Sequence, residues 1–448
     1  MHEKTFYLIS LGCAKNTVDS SSIATLLEDN GYTQSDKENQ AELLIVNTCG
    51  FIQPAREEAV EVLQDLAKKK RRGQLLIAAG CLPERHADWM VQQVQGVDGV
   101  LGTKHWMDIL QLIQQLRQKT RPEPLFHLPE SPTISSDEKG IPRVALQGGS
   151  AYLKIADGCH RPCAFCTIPL IKGTTVSRPP AAILDEAQLL RDSGAQEIIL
   201  IAQDTTAYGL DRGEKNGLAA LLKELTQTVP DIPWIRVLYA FPGYVTDELI
   251  EVMAENHQIL PYLDMPLQHA HPATLLRMRR PANMDWVQKT LAKMRTSIPE
   301  LALRTTFIVG YPGETEEEFQ SLMDFVAETQ FDHVGVFPFS FEPGTASEPL
   351  GDPISLEIKK ERIERLMLMQ EEISHQHNQA QIGKTLPILI EGFNEGISVG
   401  RSYRDAPEID GLVFAEGRAP IGSIVPVKIT GAMPHDLMGR IMPIGKKS

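Results

Sequence analysis

Six short, mainly apolar runs, with helical segments between most of them, dominate residues 150–370 and restrict the chain most. They are YLKIA (152–156), EIILIA (197–202), WIRVLYA (234–240), YLDMPL (262–267), LRTTFIV (303–309) and HVGVFPF (333–339). Mainly apolar strands alternating with helices predict a parallel sheet covered by helices. Six β/α units fit a partial TIM-like barrel better than an eightfold one. Thr315 and Glu318 form a capping-box pattern that predicts a helix over 316–329.

The same alternation on a smaller scale occupies residues 5–118. Strands are predicted at TFYLIS (5–10), LLIVN (43–47) and QLLIAA (74–79), with helices over 17–29, about 54–70 and near 83–94. Between the two blocks, RPEPLFHLPESPTISSDEKGIPR (121–143) is rich in Pro, Ser and charge and reads as a linker. After a helical stretch over 355–378 the pattern changes. TLPILIEGF, ISVGRSY, GLVFAEG, SIVPVKITGA and LMGRIMPI are short strands punctuated by Gly, Pro and Asp, which suggests a small five-stranded OB-like β-barrel. The fold class is therefore α/β: an N-terminal parallel-sheet domain (3–119), a linker (120–144), a central partial (β/α)6 barrel (145–376) and a small β-barrel (378–445).

No apolar run approaches the ~20 residues needed to span a bilayer. The start, MHEKTFYLISLGCAK, has a very short apolar stretch, with Glu3 where a leader would carry positive charge, and reads as a first strand. A cytoplasmic protein without a membrane partner is expected. The formal charge of −14 disfavours loose, charge-driven nucleic-acid binding. The basic run KKKRR (68–72) ends a helix whose first half is acidic, as the macrodipole favours, and reads as a solvated helix terminus.

The chain has six cysteines, too few for a disulfide scaffold of this size. Cys13, Cys49 and Cys81 each follow a predicted strand and each adjoins a glycine, in SLGCAKN, NTCGF and AGCLPE. Ligands of open parallel sheets bind beyond the carboxyl ends of the strands, so three thiols so placed can converge; burial as small core residues is the plainer alternative. Cys159, Cys163 and Cys166 crowd into GCHRPCAFCTIP after the strand YLKIA, at what would be the mouth of the barrel. A structural zinc site needs a fourth ligand. His160 is awkwardly adjacent to Cys159, and His269 and His271 suit hydrogen bonding at a strand end better. A [4Fe–4S] cluster with three protein thiols keeps one iron open to a small molecule.

The spacing CxxxCxxC, with Phe165 before the last cysteine, after the first strand of a β/α barrel, resembles the radical S-adenosylmethionine superfamily. The whole chain apart from the linker resembles its methylthiotransferase family, which carries a second cluster on three N-terminal cysteines and a C-terminal TRAM domain. SLGCAKNTVDS, NTCGFI, KIADGCHRPCAFCTIP, AQDTTAYG, YLDMPLQHA, FIVGYPGET and DAPEIDG are closest to the branch that modifies ribosomal protein S-12. The tRNA-modifying branch typically has Gln rather than Ala after the first GC, with Met two residues later, where this chain has GCAKN. One departure follows CTIP: the family often continues with two or more arginines, whereas IKGTTVSRP retains only Arg178 and has Val176 where a role for Arg would fall.

The resemblance implies two [4Fe–4S] clusters and S-adenosylmethionine as cofactors. Cys159, Cys163 and Cys166 would hold the cluster that generates the radical; Cys13, Cys49 and Cys81 would hold the cluster that carries the sulfur or methylsulfide. A second S-adenosylmethionine would supply the methyl group. The product would be 3-methylthioaspartate in ribosomal protein S-12, with an electron donor and a sulfur donor as further partners and a monomeric enzyme. Phe165 and the strand-end residues Gln203, Asp204, Gln268, Arg279 and Gly310 are the expected cofactor contacts; no side chain is expected to act as a separate catalytic group. From residue 380 the tail carries eight Lys/Arg against seven Asp/Glu, nearly neutral, which favours docking a protein substrate through Arg401, Arg404, Asp405, Glu408 and Asp410 as surface candidates. Two alternatives stay open: the same chemistry on an adenosine of tRNA, and a non-catalytic iron–sulfur or zinc sensor.

Overall fold

The computed structural model describes residues 4–118, 123–129 and 140–443. The first unit is a six-stranded, all-parallel sheet of β1 (Thr5–Ser10), β2 (Thr33–Gln34), β3 (Leu43–Thr48), β4 (Leu75–Gly80), β5 (Gly99–Gly102) and β6 (Leu125–His127), in the order β2-β1-β3-β4-β5-β6. Helices α1 (Ala14–Asp29), α2 (Gln53–Lys69) and α3 (Cys81–Gln93) follow β1, β3 and β4 directly. Alternate residues of β3 feed opposite faces. Leu43 and Ile45 pack with Ile23 and Leu27 of α1, while Leu44 and Val46 pack with Leu63 of α2 and Met90 of α3. Both faces are covered, so every residue of β3 is buried.

Part of the expected linker is structured. Leu125–His127 adds the edge strand β6 to the sheet, pairing in parallel with β5. The pairing is supplied by β5, not by any strand pattern in RPEPLFHLPE. Residues 120–122 and 130–139 of the linker lie outside the described residues. The basic run ends α2 as expected, with Lys69 on Asp65 at 2.7 Å and Lys70 on Asp98 at 2.7 Å.

The central sheet begins with β7 (Val144–Gln147), antiparallel to β8 (Ser150–Lys154); β9 (Ala156–Asp157) pairs separately with β10 (Val176–Ser177). The parallel strands β11 (Glu197–Ile201), β12 (Trp234–Val237), β13 (Ile259–Asp264), β14 (Ala302–Val309) and β15 (His333–Pro338) complete an open sheet of order β15-β14-β13-β12-β11-β8-β7. β8 and β11 to β15 are the six parallel strands of the expected partial barrel. The capping box of Thr315 and Glu318 opens the helix Glu316–Thr329. Arg178, the arginine retained after CTIP, is buried against Glu186 and the Lys154 carbonyl, a structural anchor.

The tail is a closed barrel of β16 (Thr385–Asn394), β17 (Ile397–Arg401), β18 (Val413–Glu416), β19 (Ile424–Ala432) and β20 (Leu437–Ile441), ordered β16-β17-β18-β20-β19. A bulge between Ile390 and Gly392 bends β16 so that it pairs with both β17 and β19.

Here the sequence expectation needs correction, because Arg401, Arg404 and Asp405 are buried and the Asp410 side chain is only 2% exposed. Arg401 donates to Glu197 at 2.7 Å and to Ser150 at 2.9 Å, and Arg404 pairs with Asp332 at 2.8 Å. Tyr262 donates to Asp410 at 2.6 Å, and Asp405 accepts from Ser402 at 2.7 Å. Glu408 alone of the five is exposed. Ser150 and Glu197 begin their strands, so this joint sits at the end of the sheet opposite the strand–helix turns. Charge that looks like a solvated loop in sequence is the seam between the two units. Among the described residues no helix is long and apolar enough to cross a membrane.

Candidate cluster and cofactor cavity

β1, β3 and β4 are neighbours in the sheet, so their carboxyl ends lie side by side. Cys13, Cys49 and Cys81 sit at those ends, with Cys13 capping α1 and Cys81 opening α3. The glycines allow the crowding. A Cβ on Gly12 (φ +93°) would lie 2.7 Å from Cys49 Cβ, and one on Gly50 would lie 2.7 Å from Leu82 Cα. The second trio occupies the loop between β9 and the helix Ile168–Lys172, again beyond strand ends. The two sets face one another. One cavity of about 360 Å³ is lined by all six cysteines, with walls from Phe51, Ile168, Ile171 and Phe241.

The thiols are free of disulfides. Burial pushes Cys81 and Cys166 up to about 12 and Cys159 to about 11, and raises Cys49. Within each trio, neighbouring sulfurs disfavour one another's ionisation. Cys13 differs: burial opposes its thiolate, but the Lys15 ammonium and the amides of Asn16 and Lys15 outweigh it and lower the value. The four thiols raised by burial, Cys49, Cys81, Cys159 and Cys166, favour the protonated form when free and release protons on binding a soft metal centre. The Ile168 amide donates to Cys166 Sγ at 3.5 Å, and Arg280 Nη1 lies 3.6 Å from Cys163 Sγ, both of which suit a thiolate ligand. Two crowded sets of three soft donors, each without a fourth cysteine or histidine on the cavity wall, fit iron–sulfur clusters with an open position.

Of the expected cofactor contacts, Phe165, Gln203, Asp204 and Gln268 line the cavity. Gln203 Oε1 is buried with no hydrogen-bond partner among the described residues, as a waiting acceptor would be. Gln268 holds a left-handed conformation (φ +75°) between Thr306 and Ile308, backbone strain of the kind found at binding sites. Asp204 is committed to the protein: it accepts Arg161 Nε at 2.6 Å, Thr206 Oγ1 at 2.5 Å and the Ala207 amide at 3.2 Å. It positions Arg161, whose guanidinium stacks on Tyr244 at 3.5 Å.

Arg279 and Gly310 are not on the cavity wall. Arg279 adopts φ +54° just past a helix end and is exposed, which turns its neighbour Arg280 inward. Arg280 is buried, donates to the Pro266 carbonyl and stacks on Phe241 at 4.0 Å. Gly310 packs against the Lys359 side chain. His160 bonds Thr175 at 3.0 Å and His269 accepts the His271 amide at 2.9 Å; none of these histidines reaches the cavity. Lys15, Tyr239 and Lys172 are wall residues that the strand-end argument passes over, although Lys15 stands inside the quoted GCAKN.

Lys172 also closes the joint between the two sheets. Its ammonium bonds Asp19 at 2.9 Å and Thr103 at 2.6 Å, and Asp19 in turn holds Lys154 at 2.5 Å and Arg143 at 2.7 Å. On the far side Glu342 takes Arg56 at 2.5 Å and Arg85 at 2.7 Å.

Comparison with known proteins agrees with this architecture. Residues 5–102 match a family described as "Uncharacterized protein family UPF0004", residues 153–326 match the Radical SAM superfamily, and residues 382–442 match the TRAM domain. The radical S-adenosylmethionine methyltransferase TsrM of Kitasatospora setae shares the fold, with a TM-score of 0.58 at 15% identity over 77% of each chain. A protein named ribosomal protein uS12 methylthiotransferase RimO from Chloroflexus aurantiacus is 45% identical over 98% of this chain and 99% of its own. Those of the same name from Thermoanaerobacter sp. (44%; 97% and 99% covered) and Microcystis aeruginosa (43%; 98% and 100%) are similar throughout. The chain belongs to the RimO family of radical S-adenosylmethionine methylthiotransferases.

Proposed function

We infer that this chain is a methylthiotransferase that replaces a hydrogen on the β-carbon of an aspartate in ribosomal protein uS12 with a methylthio group. The observation that carries the reading is the convergence of all six thiols on one cavity. The cofactors are two [4Fe–4S] clusters and S-adenosylmethionine; we assign Cys159, Cys163 and Cys166 to one cluster and Cys13, Cys49 and Cys81 to the other. When bound, these groups supply the one-electron and sulfur-transfer chemistry that an unactivated CH₂ requires.

The chain's own residues supply position and dryness. Phe51, Phe165, Ile168, Ile171 and Phe241 give the cavity apolar walls that keep water from a reactive centre. Gln203 offers an unoccupied amide oxygen and Gln268 a fixed side-chain origin, suited to the polar groups of S-adenosylmethionine. Arg280, rather than the exposed Arg279, places positive charge beside the Cys163 trio. The ion pairs of Lys172 and Glu342 hold the two cysteine-bearing sheets in one orientation, so the trios keep a common cavity.

We place the enzyme in the cytoplasm, with residues 3–119 together with the edge strand 125–127, 145–376 and 378–445 as its working units, acting as a monomer with a reductant and a sulfur donor. The near-neutral TRAM barrel supports a protein substrate over tRNA. Incubating the reconstituted enzyme with uS12 or tRNA under anaerobic, reducing conditions tests the choice. A methylthio mass gain on uS12 is expected; a gain on tRNA alone would overturn it.

A further inference from the structure

Four cations face the cavity: Lys15, Arg161, Lys172 and Arg280. Arg161 is paired with Asp204 and Lys172 with Asp19. Arg280 has no carboxylate partner either, but it donates to the Pro266 carbonyl and its Nη1 lies 3.6 Å from Cys163 Sγ, so its charge faces the second trio. Lys15 has no carboxylate within ion-pair distance among the described residues. Its ammonium lies 3.4 Å from the centroid of the Tyr239 ring, on the opposite wall. Asp264, which acts on it from further off, is already held by Arg304 at 2.9 Å.

A cation in a largely apolar cavity is poorly compensated by an aromatic face alone, and a carboxylate offers it a charge-assisted hydrogen bond. Lys15 also stands where a substrate would need such a contact. It follows Cys13 by two residues and touches Tyr239 of the central sheet, so it bridges the walls that carry the two trios. We propose that Lys15 binds the side-chain carboxylate of the substrate aspartate and thereby positions its β-carbon between the two cysteine sets. The carboxylate carbon is bonded directly to that β-carbon, so one contact fixes both. The same contact selects aspartate over asparagine, which matches it in shape but lacks the charge. This proposal rests on the reading of uS12 as substrate.

The test measures anaerobic binding of labelled uS12, and of uS12 with the target aspartate changed to asparagine, to the reconstituted enzyme. Wild-type enzyme is expected to prefer the aspartate form by about tenfold or more. Lys15→Met is expected to bind the two forms equally at unchanged iron content, and Lys15→Arg to restore most of the preference. Equal binding of both forms by wild-type enzyme overturns the proposal without requiring any variant. A preference that survives Lys15→Met also overturns it; if the N-terminal cluster's potential shifts as well, Lys15 is that cluster's counter-charge. Failure of wild-type enzyme to bind either form, with methylthiolation of tRNA instead, removes the substrate reading itself and the proposal with it.

Discussion

Lys172 and Asp19 form an ion pair at 2.9 Å across the boundary between the central and N-terminal sheets, with both side chains buried. Lys172 lines the cavity, and Asp19 lies on α1, the helix that Cys13 caps. One contact therefore ties the wall bearing the first trio to the wall bearing the second. Asp19 and Asp157 face three cations, Arg143, Lys154 and Lys172, so neither carboxylate is dispensable.

Asp19→Asn leaves three buried cations with a single carboxylate and is expected to cost about 3–5 kcal/mol. Anaerobic urea unfolding reads this; a loss below about 1 kcal/mol would show the joint to be incidental. Burial opposes ionisation of Asp19, but Lys154, Lys172 and Arg143 prevail and hold its carboxyl at about 2, below the ordinary 3.8. Its contribution is therefore fully present above about pH 4 and fades as pH falls towards 2. Stability lost between pH 7 and 5 must come from other groups, and the difference between wild type and Asp19→Asn should be flat over that range.

Gly12→Ala places a Cβ against Cys49 at a backbone angle that alanine tolerates poorly. The N-terminal trio should lose its cluster while the second trio keeps its own. Iron and sulfide are expected to fall from about eight to about four per chain. Retention of about eight would mean that the crowding at Gly12 does not govern cluster assembly.

Arg401→Ala removes one of two guanidiniums from Glu197, whose carboxyl is held at about 2; burial opposes this, and Arg236 and Arg401 outweigh it. A loss of about 3–5 kcal/mol is expected, with the TRAM barrel becoming sensitive to limited proteolysis. A solvated docking residue would give neither result, so unchanged stability would return Arg401 to the surface role that its sequence context suggests.

The sequence carried some of this plainly and some not at all. The cysteines were legible because a cysteine adjoining a glycine recurs at three neighbouring strand ends, and the βα alternation decides which end of a sheet those are. The barrel strands were legible from their Gly and Pro punctuation. The burial of Arg401, Arg404, Asp405 and Asp410 was not, because a charged loop reads alike whether it meets water or a buried partner such as Glu197 or Asp332. Leu125–His127 was hidden for a related reason, since its pairing comes from β5. Arg279 and Arg280 differ only through the left-handed turn at Arg279, a backbone state that RMRRP does not announce.

That difference is itself testable. Arg280→Ala removes the buried cation beside Cys163 and should lower formation of 5′-deoxyadenosine by about tenfold or more at retained iron content. Arg279→Ala, altering an exposed side chain outside the cavity, should change it by less than about twofold. Reversed effects would put the cofactor contact at Arg279 after all.

The central claim is that two cysteine trios with different tasks serve one cavity. Its most direct measurement is mass analysis of uS12, together with 5′-deoxyadenosine, after reaction with Cys49→Ala and Cys163→Ala enzymes. Cys49→Ala is predicted to cleave S-adenosylmethionine yet leave uS12 without a methylthio group, and Cys163→Ala to do neither. Methylthiolated uS12 from the Cys49→Ala enzyme would contradict the account.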